Sequence, residues 1–301
     1  MIPSSTPIRL RFWGVRGSLP TPGPSTVRYG GNTSCVSLDG TRPDGQRWYL
    51  ILDAGTGIRE LGREVVQTEA DIFLMLTHAH WDHIQGFPFF DPIYQVGGCM
   101  YLVPGPHMED AFDLLLGQID GRRFPLRREQ IPAAFGSIRL GEVEEGLYDA
   151  RQVQLRRVNH PGPTYGIRVQ AGSSSVVYIP DNEIDPPYDP IATFDDLVAF
   201  CQGAHVLIHD AQYLDAELEH RAGWGHSSIA QTVALAQAAE VEHLVLFHHD
   251  PSRTDDTLDA IQAHVNQLTA DGAYPVRCTV AYEGLSVALE PLIRTATPPQ
   301  G

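Results

Sequence analysis

The six residues His78-Ala-His80-Trp-Asp82-His83, arriving straight after the apolar run Asp71-Ile-Phe-Leu-Met-Leu-Thr77, constrain this chain more than anything else in it. The apolar run reads as a buried strand. Three imidazoles and a carboxylate in six positions cannot all turn to one side from a helix or a strand. A tight loop at a strand's end can aim all four at one small volume. Neutral imidazole and carboxylate suit Zn²⁺, Fe²⁺ and Mn²⁺. Four donors exceed what one open catalytic ion needs from a single loop, which predicts two ions side by side. Such a pair, about 3.5–4 Å apart, can generate a hydroxide and clamp both the attacked group and the leaving oxygen of a hydrolysis. A surface histidine cluster is the plain alternative.

The loop resembles the His-x-His-x-Asp-His signature of the metallo-β-lactamase superfamily, and the match is complete. Further residues match the order in which that superfamily supplies its other ligands. His160 follows the strand-like Gln152-Val-Gln-Leu-Arg-Arg-Val158, Asp181 ends Ser175-Val-Val-Tyr-Ile-Pro180, and His248 ends His243-Leu-Val-Leu-Phe247. The resemblance implies that His78, His80 and His160 hold a first metal, that Asp82, His83 and His248 hold a second, and that Asp181 bridges both. The implied cofactors are two divalent transition metal ions, zinc first, with manganese or iron as alternatives. Asp82, Asp181 and a bridging hydroxide would balance their charge. His249 competes with His248, but period-2 alternation groups Leu244, Leu246 and His248 on one face and favours His248. Asp53 resembles the superfamily's aspartate that supports the metal loop from below, where a carboxylate fixes the second ring N–H of a metal-bound imidazole. Capping the next helix is the competing role.

With 301 residues the chain could form two ordinary domains or one large α/β domain. Ligands from His78 to His248 must converge, so one domain over 1–301 is expected. A hydrophobic content of 43% is ample for a core. No apolar stretch approaches the ~18 residues of a membrane span, and the N-terminus lacks the basic and apolar regions of a secretory signal. Cys35, Cys99, Cys201 and Cys278 are scattered and read as buried free thiols. These features place the expected protein in a reducing cytoplasm.

Read coarsely, strands come first and then strand and helix mixed, twice. Ile8–Trp13 reads as an alternating edge strand, Thr33–Leu38 as a second and Trp48–Asp53 as a third, before a helix near Ile58–Gln67. A helical segment around Met108–Leu116 follows the metal loop. The second half offers a helix at Phe194–Cys201, a strand at His205–His209, a helix after Ser227, the metal strand, a helix at Asp255–Leu268 and closing strands near Cys278 and Val287. Periodicity alone says mixed α/β (α+β). The resemblance implies a four-layer αββα sandwich.

Two more motifs narrow the branch. His209-Asp210-Ala211-Gln212 resembles the His-Glu-Ala-Thr element of the phosphodiesterase branch, which includes tRNase Z, with Asp210 in place of Glu. Gly223-Trp224-Gly225-His226-Ser227-Ser228 resembles its His-Ser-Thr element. There the acidic residue orients a histidine that donates a proton to the leaving oxygen. His226 suits that task because imidazole titrates near neutrality, and expelling an alkoxide is slow without a donor. The implied mechanism has a metal-bridging hydroxide attack phosphorus in line, with Asp82 accepting a hydrogen bond from it and His226, held by Asp210, protonating the departing oxygen.

Familiar tRNase Z enzymes insert a long arm between the ligands matching His160 and Asp181. Here twenty residues separate them. The closer likenesses are arm-less phosphodiesterases acting on cyclic nucleotides or cyclic ribose phosphates. Formal net charge is −16, and Arg122-Arg123 with Arg127-Arg128 form the one dense basic cluster. A polyanion-binding enzyme normally shows a basic footprint. The expected partner is therefore a small anionic phosphodiester, a cyclic nucleotide first, rather than long nucleic acid or a membrane. A homodimer is compatible with the chain. Two alternatives stay open: a thioester, lactone or lactam hydrolase of the same fold, and a tRNase Z-like RNA-processing nuclease. The Pro/Gly-rich segment Gly17–Pro24 is either a strand connector or a lining of the substrate mouth.

Overall fold

Alternation and continuous burial divide the strands into two kinds. The computed structural model describes residues 8–42, 44–106, 110–140, 150–171, 173–270 and 275–289. Strand β1 (Ile8–Gly14) buries every second side chain, whereas the strands Val206–Asp210 and His243–Phe247 are buried on both faces. The first kind suits antiparallel pairing beside solvent and the second a parallel sheet covered by helices.

The first sheet opens with β1, β2 (Cys35–Thr41) and β3 (Arg47–Leu52), all antiparallel. Helix α1 (Ile58–Val65) then crosses to β4 (Ala70–Met75), parallel to β3. The short helices α2 (Trp81–Ile84) and α3 (Ala111–Leu116) flank β5 (Cys99–Val103), and β6 (Ala134–Ser137) closes this parallel run. The second sheet repeats the plan. Strands β7 (Ala150–Arg157), β8 (Tyr165–Ala171) and β9 (Ser174–Ile179) are antiparallel. Helix α4 (Phe194–Cys201), β10 (Val206–Asp210), helices α5 (Asp215–Leu218) and α6 (Ile229–Ala238), β11 (His243–Phe247), α7 (Asp255–Ala270) and β12 (Arg277–Val280) extend it in parallel. The last strand, β13 (Ser286–Leu289), returns to pair with β1.

Strand β1 is therefore interior rather than an edge. Alternation reports one wetter face but says nothing of a partner arriving from the far end of the chain. Among the described residues, the helix read around Met108 is seen over Ala111–Leu116, and residues 107–109 lie outside them.

Three cores stack the layers. Leu10, Phe12, Leu38 and Leu50 of the first sheet meet Ile167, Val169, Tyr178, Ile208 and Phe247 of the second. Leu197, Val233, Leu235, Leu258 and Val265 pack helices α4, α6 and α7 on the outer face of the second sheet. Ile58, Leu61 and Val65 pack α1 on the outer face of the first. The result is the αββα sandwich, in which each fully buried aliphatic or aromatic side chain contributes about 1.5–3 kcal/mol.

Topology then places the chemistry. Strands β3 and β4 run together in one sheet. In the other, β9, β10 and β11 are parallel, and β7 shares their direction because β8 lies antiparallel between β7 and β9. In open α/β sheets ligands bind beyond such C-terminal strand ends. Asp53, the 78–83 segment, in which residues 78–80 lead into helix α2, His160, Asp181, Asp210 and His248 all sit there. Cys35, Cys201 and Cys278 are buried as expected, but Cys99, at the head of β5, is exposed.

Candidate metal centre

The seven residues expected as ligands converge, in two groups that share Asp181. Donor atoms of His78, His80, His160 and Asp181 lie within 4.8 Å of one another, as do those of Asp82, His83 and His248. Asp181 turns one oxygen to each side. Its Oδ2 lies 3.7 Å from His78 Nε2 and 3.6 Å from His160 Nε2, while its Oδ1 lies 3.0 Å from His83 Nε2 and 3.3 Å from His248 Nε2. Asp82 Oδ2 closes the second group at 3.0 Å from His248 Nε2 and 3.3 Å from His83 Nε2.

Four of the five imidazoles, all but His80, are fixed by what the ring does behind the inward nitrogen. His83 Nδ1 donates to Asp53 Oδ2 at 2.8 Å, His160 Nδ1 to Gly225 O at 2.9 Å, and His248 Nδ1 to Gln212 Oε1 at 2.8 Å. His78 Nδ1 faces Thr77 Oγ1 at 3.1 Å, and that hydroxyl itself donates to Asp53. With the Nδ1 proton held, the Nε2 lone pair points into the centre. Asp53 also accepts from Tyr178 Oη at 3.0 Å and from the Thr77 amide at 2.7 Å. It supports the loop from below, and helix α1 takes its N-cap at Gly57 without a side-chain cap.

Two of these residues carry positive φ without being glycine: Asp53 at 62° and His248 at 60°. Left-handed backbone at such residues costs about 1–3 kcal/mol and persists where surroundings enforce it. Leu244 and Leu246 face helices α6 and α7 in the outer core, so strict alternation would have sent His248 there too. The left-handed turn redirects it to the shared rim. Period 2 thus favours the histidine that converges with the other donors, but for an incomplete reason. His249 points elsewhere, its Nε2 donating to Ala281 O at 2.8 Å, and burial pushes its pKa down to about 3.

The donor set fits a pair of divalent cations. His78 Nε2, His83 Nε2 and Asp181 Oδ1 are buried without a hydrogen-bond partner, and such orphans are costly unless something else satisfies them. Burial opposes ionisation of Asp181, yet His248, His83 and His78 hold its carboxyl well below the usual range. Burial likewise opposes a proton on His83, but Asp181, Asp82 and Asp53 around it push its pKa well up. That carboxylate field would serve cations as well as a proton. Neutral, softer imidazole nitrogens with few carboxylates favour a transition ion over Mg²⁺ or Ca²⁺.

Beside the centre, His226 Nδ1 donates to Asp210 Oδ2 at 2.7 Å. Asp210 is fully buried and accepts also from the amides of Asn182 and Gln212. The His226 ring stacks on His248 at 5.0 Å and meets His160 edge-on at 5.3 Å. Burial disfavours the imidazolium, but Asp210, then Asp181 and Asp82, outweigh it and raise the His226 pKa to about 9. A donor atom of His226 also lies within 4.8 Å of donors on Asp181 and His248, so it sits at the edge of the centre. Ser228 caps α6, and Ser227 Oγ donates to Asn182 O.

Several supports carry no sequence signature of their own. Gln212 and Gly225 lie inside the quoted motifs, which was the only signal available for them. A Cβ on Gly225, at φ +87°, would come within 2.2 Å of His160 Nδ1. A Cβ on Gly17 would come within 2.3 Å of His248 Nδ1, and the Ser18 amide donates to Asp82 Oδ2 at 2.8 Å. The start of the Gly17–Pro24 segment therefore abuts the centre. In the basic cluster, Arg123 pairs with Asp120 and Arg128 with Asp113 on an exposed face.

A family model described as Beta-lactamase superfamily domain matches residues 47–249. Ribonuclease Z of Marinobacter nauticus is 39% identical over 281 residues, covering 78% of this chain and 83% of that protein. Ribonuclease Z of Halalkalibacterium halodurans is 40% identical over 76 residues, so the chain spans only 24% of that relative. The solved structure of the metallo-beta-lactamase fold protein YhfI from Bacillus subtilis superposes with a TM-score of 0.64 at 16% identity, over 94% of this chain and 100% of that one, a likeness of fold. The chain belongs to the metallo-β-lactamase superfamily, in its phosphodiesterase branch.

Proposed function

We propose that this chain is a binuclear metal-dependent phosphodiesterase acting on a small phosphodiester, a cyclic nucleotide above all. The observation that carries the reading is the His226–Asp210 pair at 2.7 Å beside two ligand groups that share Asp181. His78, His80, His160 and Asp181 would hold one ion, and Asp82, His83, His248 and Asp181 the other, zinc being the leading choice and manganese or iron the alternatives. When bound, such a pair lowers the pKa of water and neutralises charge building on the phosphoryl oxygens.

The chain's own residues do the rest. Asp82, pinned by the Ser18 amide, keeps its Oδ2 turned towards the His83 and His248 ring nitrogens. His226 carries a proton at neutral pH, since Asp210 holds it on Nδ1 and the neighbouring carboxylates favour the charged ring. Bound cations would offset part of that field and bring its pKa back towards neutrality, where a general acid works best. Its Nε2 then protonates the departing alkoxide. A thioester or lactam hydrolase would not need that pair.

RNA processing is the second reading, favoured by the ribonuclease Z relatives. The hairpin of β8 and β9 fills the stretch between His160 and Asp181, and the net charge of −16 speaks against a long polyanion. The test is metal analysis together with turnover of cyclic mononucleotides, cyclic dinucleotides, short RNA and p-nitrophenyl esters. Two ions per chain with hydrolysis of a cyclic mononucleotide supports the proposal. Ester hydrolysis without phosphodiester hydrolysis rejects it.

A further inference from the structure

We propose that Trp224, backed by Arg221, is a stacking platform for a nucleobase attached to the reacting phosphate. The inference rests on the phosphodiesterase reading, because it takes the side of the centre from which His226 protonates the leaving oxygen as the side on which the leaving group lies.

A ladder of rings runs outward from that histidine. The buried Tyr213 ring meets the His226 ring edge-on at 5.8 Å. The Arg221 guanidinium lies 5.1 Å from the Tyr213 centroid and 5.1 Å from that of Trp224. Arg221 is held only loosely by polar partners, with Tyr213 Oη at 3.4 Å and Asp250 at 4.0 Å. Trp224 ends the ladder with 58% of its surface exposed. An indole so exposed forgoes burial worth more than most side chains offer, and nothing in the core uses it.

Its loop is nevertheless fixed in place. Buried Glu183 accepts from the Gly223 amide at 2.8 Å and the Gly225 amide at 2.9 Å, so one carboxylate grips the chain on both sides of Trp224. The Trp224 amide itself donates to Arg221 O at 3.1 Å. Gly225 O then fixes His160 and the next residue is His226. The platform is thus built into the turn that sets the centre, with little ordering left for a ligand to bring about. A flat, neutral ring suits the open indole face, and a cation on the indole's other side accepts such stacking.

The test uses full-length, metal-loaded protein and two product-like probes that cannot be hydrolysed as diesters, adenosine 5′-monophosphate and its base-free counterpart ribose 5-phosphate. Binding is read by calorimetry and by quenching of tryptophan fluorescence. The nucleotide should bind on the order of 10-fold tighter and quench. Trp224→Ala should abolish both the preference and the quenching, leave ribose 5-phosphate affinity unchanged, and be largely rescued by Trp224→Phe. Arg221→Met should cost roughly 2- to 5-fold in nucleotide affinity alone. Equal affinity for the two probes in the parent protein, binding of neither, or a preference that survives Trp224→Ala overturns the proposal. Turnover of cyclic AMP and of the dinucleotide ApA then identifies the source of the base. A loss of kcat/KM on Trp224→Ala confined to one of them names it, and a loss on neither counts against the platform. If the probes behave as expected but no phosphodiester is hydrolysed, the phosphodiesterase reading fails and the base site stands.

Discussion

At the scale of single residues, the proposed division between a proton donor and metal-holding side chains predicts separable defects. His226→Ala should keep both ions and lose on the order of 10²–10⁴-fold in kcat on a substrate with a poor alkoxide leaving group. With p-nitrophenolate, which departs without a proton, the loss should be far smaller. Equal losses on the two substrates would remove His226 from the general-acid role and leave it a binding or structural residue, whereas loss of an ion would make it a ligand, as its approach to Asp181 and His248 would allow. Gly225→Ala is the complementary case. Its Cβ would press on His160 Nδ1 at 2.2 Å from a backbone that L-residues avoid. Metal affinity should fall about 10- to 100-fold with the fold retained, as titration with a chelator would show. Unchanged affinity would mean that the loop yields without moving His160. The converging donors were legible because four of them sit in one six-residue motif and the other three are polar residues just beyond apolar strands. Gln212, Gly225 and Tyr178 were not, because their roles depend on contacts with residues 36, 65 and 125 positions away in the chain.

At the scale of elements, the strand-then-strand-and-helix order was readable twice over, and both sheets follow it. Sheet edges were not readable, since hydrophobic alternation is blind to which strand pairs with which. The β11–β12 pair carries a pH-dependent term of its own. His243, opposite Arg277 in the register, accepts from Arg277 on Nδ1 and faces Thr279 Oγ1 through Nε2 at 2.9 Å. Burial, then the Arg277 charge, lowers its pKa to about 4. The unfolded chain takes up this proton near pH 6.5, before the folded one does. Stability from His243 is therefore complete above about pH 6.5 and is lost as pH falls towards 4. Measured by urea unfolding, the stability of the parent relative to His243→Gln should decline between pH 7 and pH 5. A difference that stays flat would show that the ring titrates normally. Using the difference cancels acid-driven loss of metal, which both proteins share.

At the scale of the whole molecule, charge and connectivity decide what size of substrate the centre can serve. A polyanion gains affinity by releasing counterions from many phosphates, with a slope in log salt of roughly 0.7 per phosphate neutralised on a single strand. That requires a row of basic side chains. This chain has a net charge of −16, and in its densest arginine cluster Arg123 and Arg128 already face Asp120 and Asp113. A cyclic mononucleotide asks for one phosphate site, which two cations held by the seven residues would supply. We therefore expect kcat/KM for a 3′,5′-cyclic mononucleotide to exceed that for precursor tRNA by a wide margin. Its dependence on salt between about 50 and 200 mM should be shallow, corresponding to one or two phosphates rather than the 6–10 of an extended contact. Steady-state kinetics on both substrates across that range decides the matter. Efficient trimming of precursor tRNA with a steep salt slope, and no opening of any cyclic mononucleotide, would give the substrate to the RNA reading that the ribonuclease Z relatives favour, and would leave the sandwich and its metal centre as described.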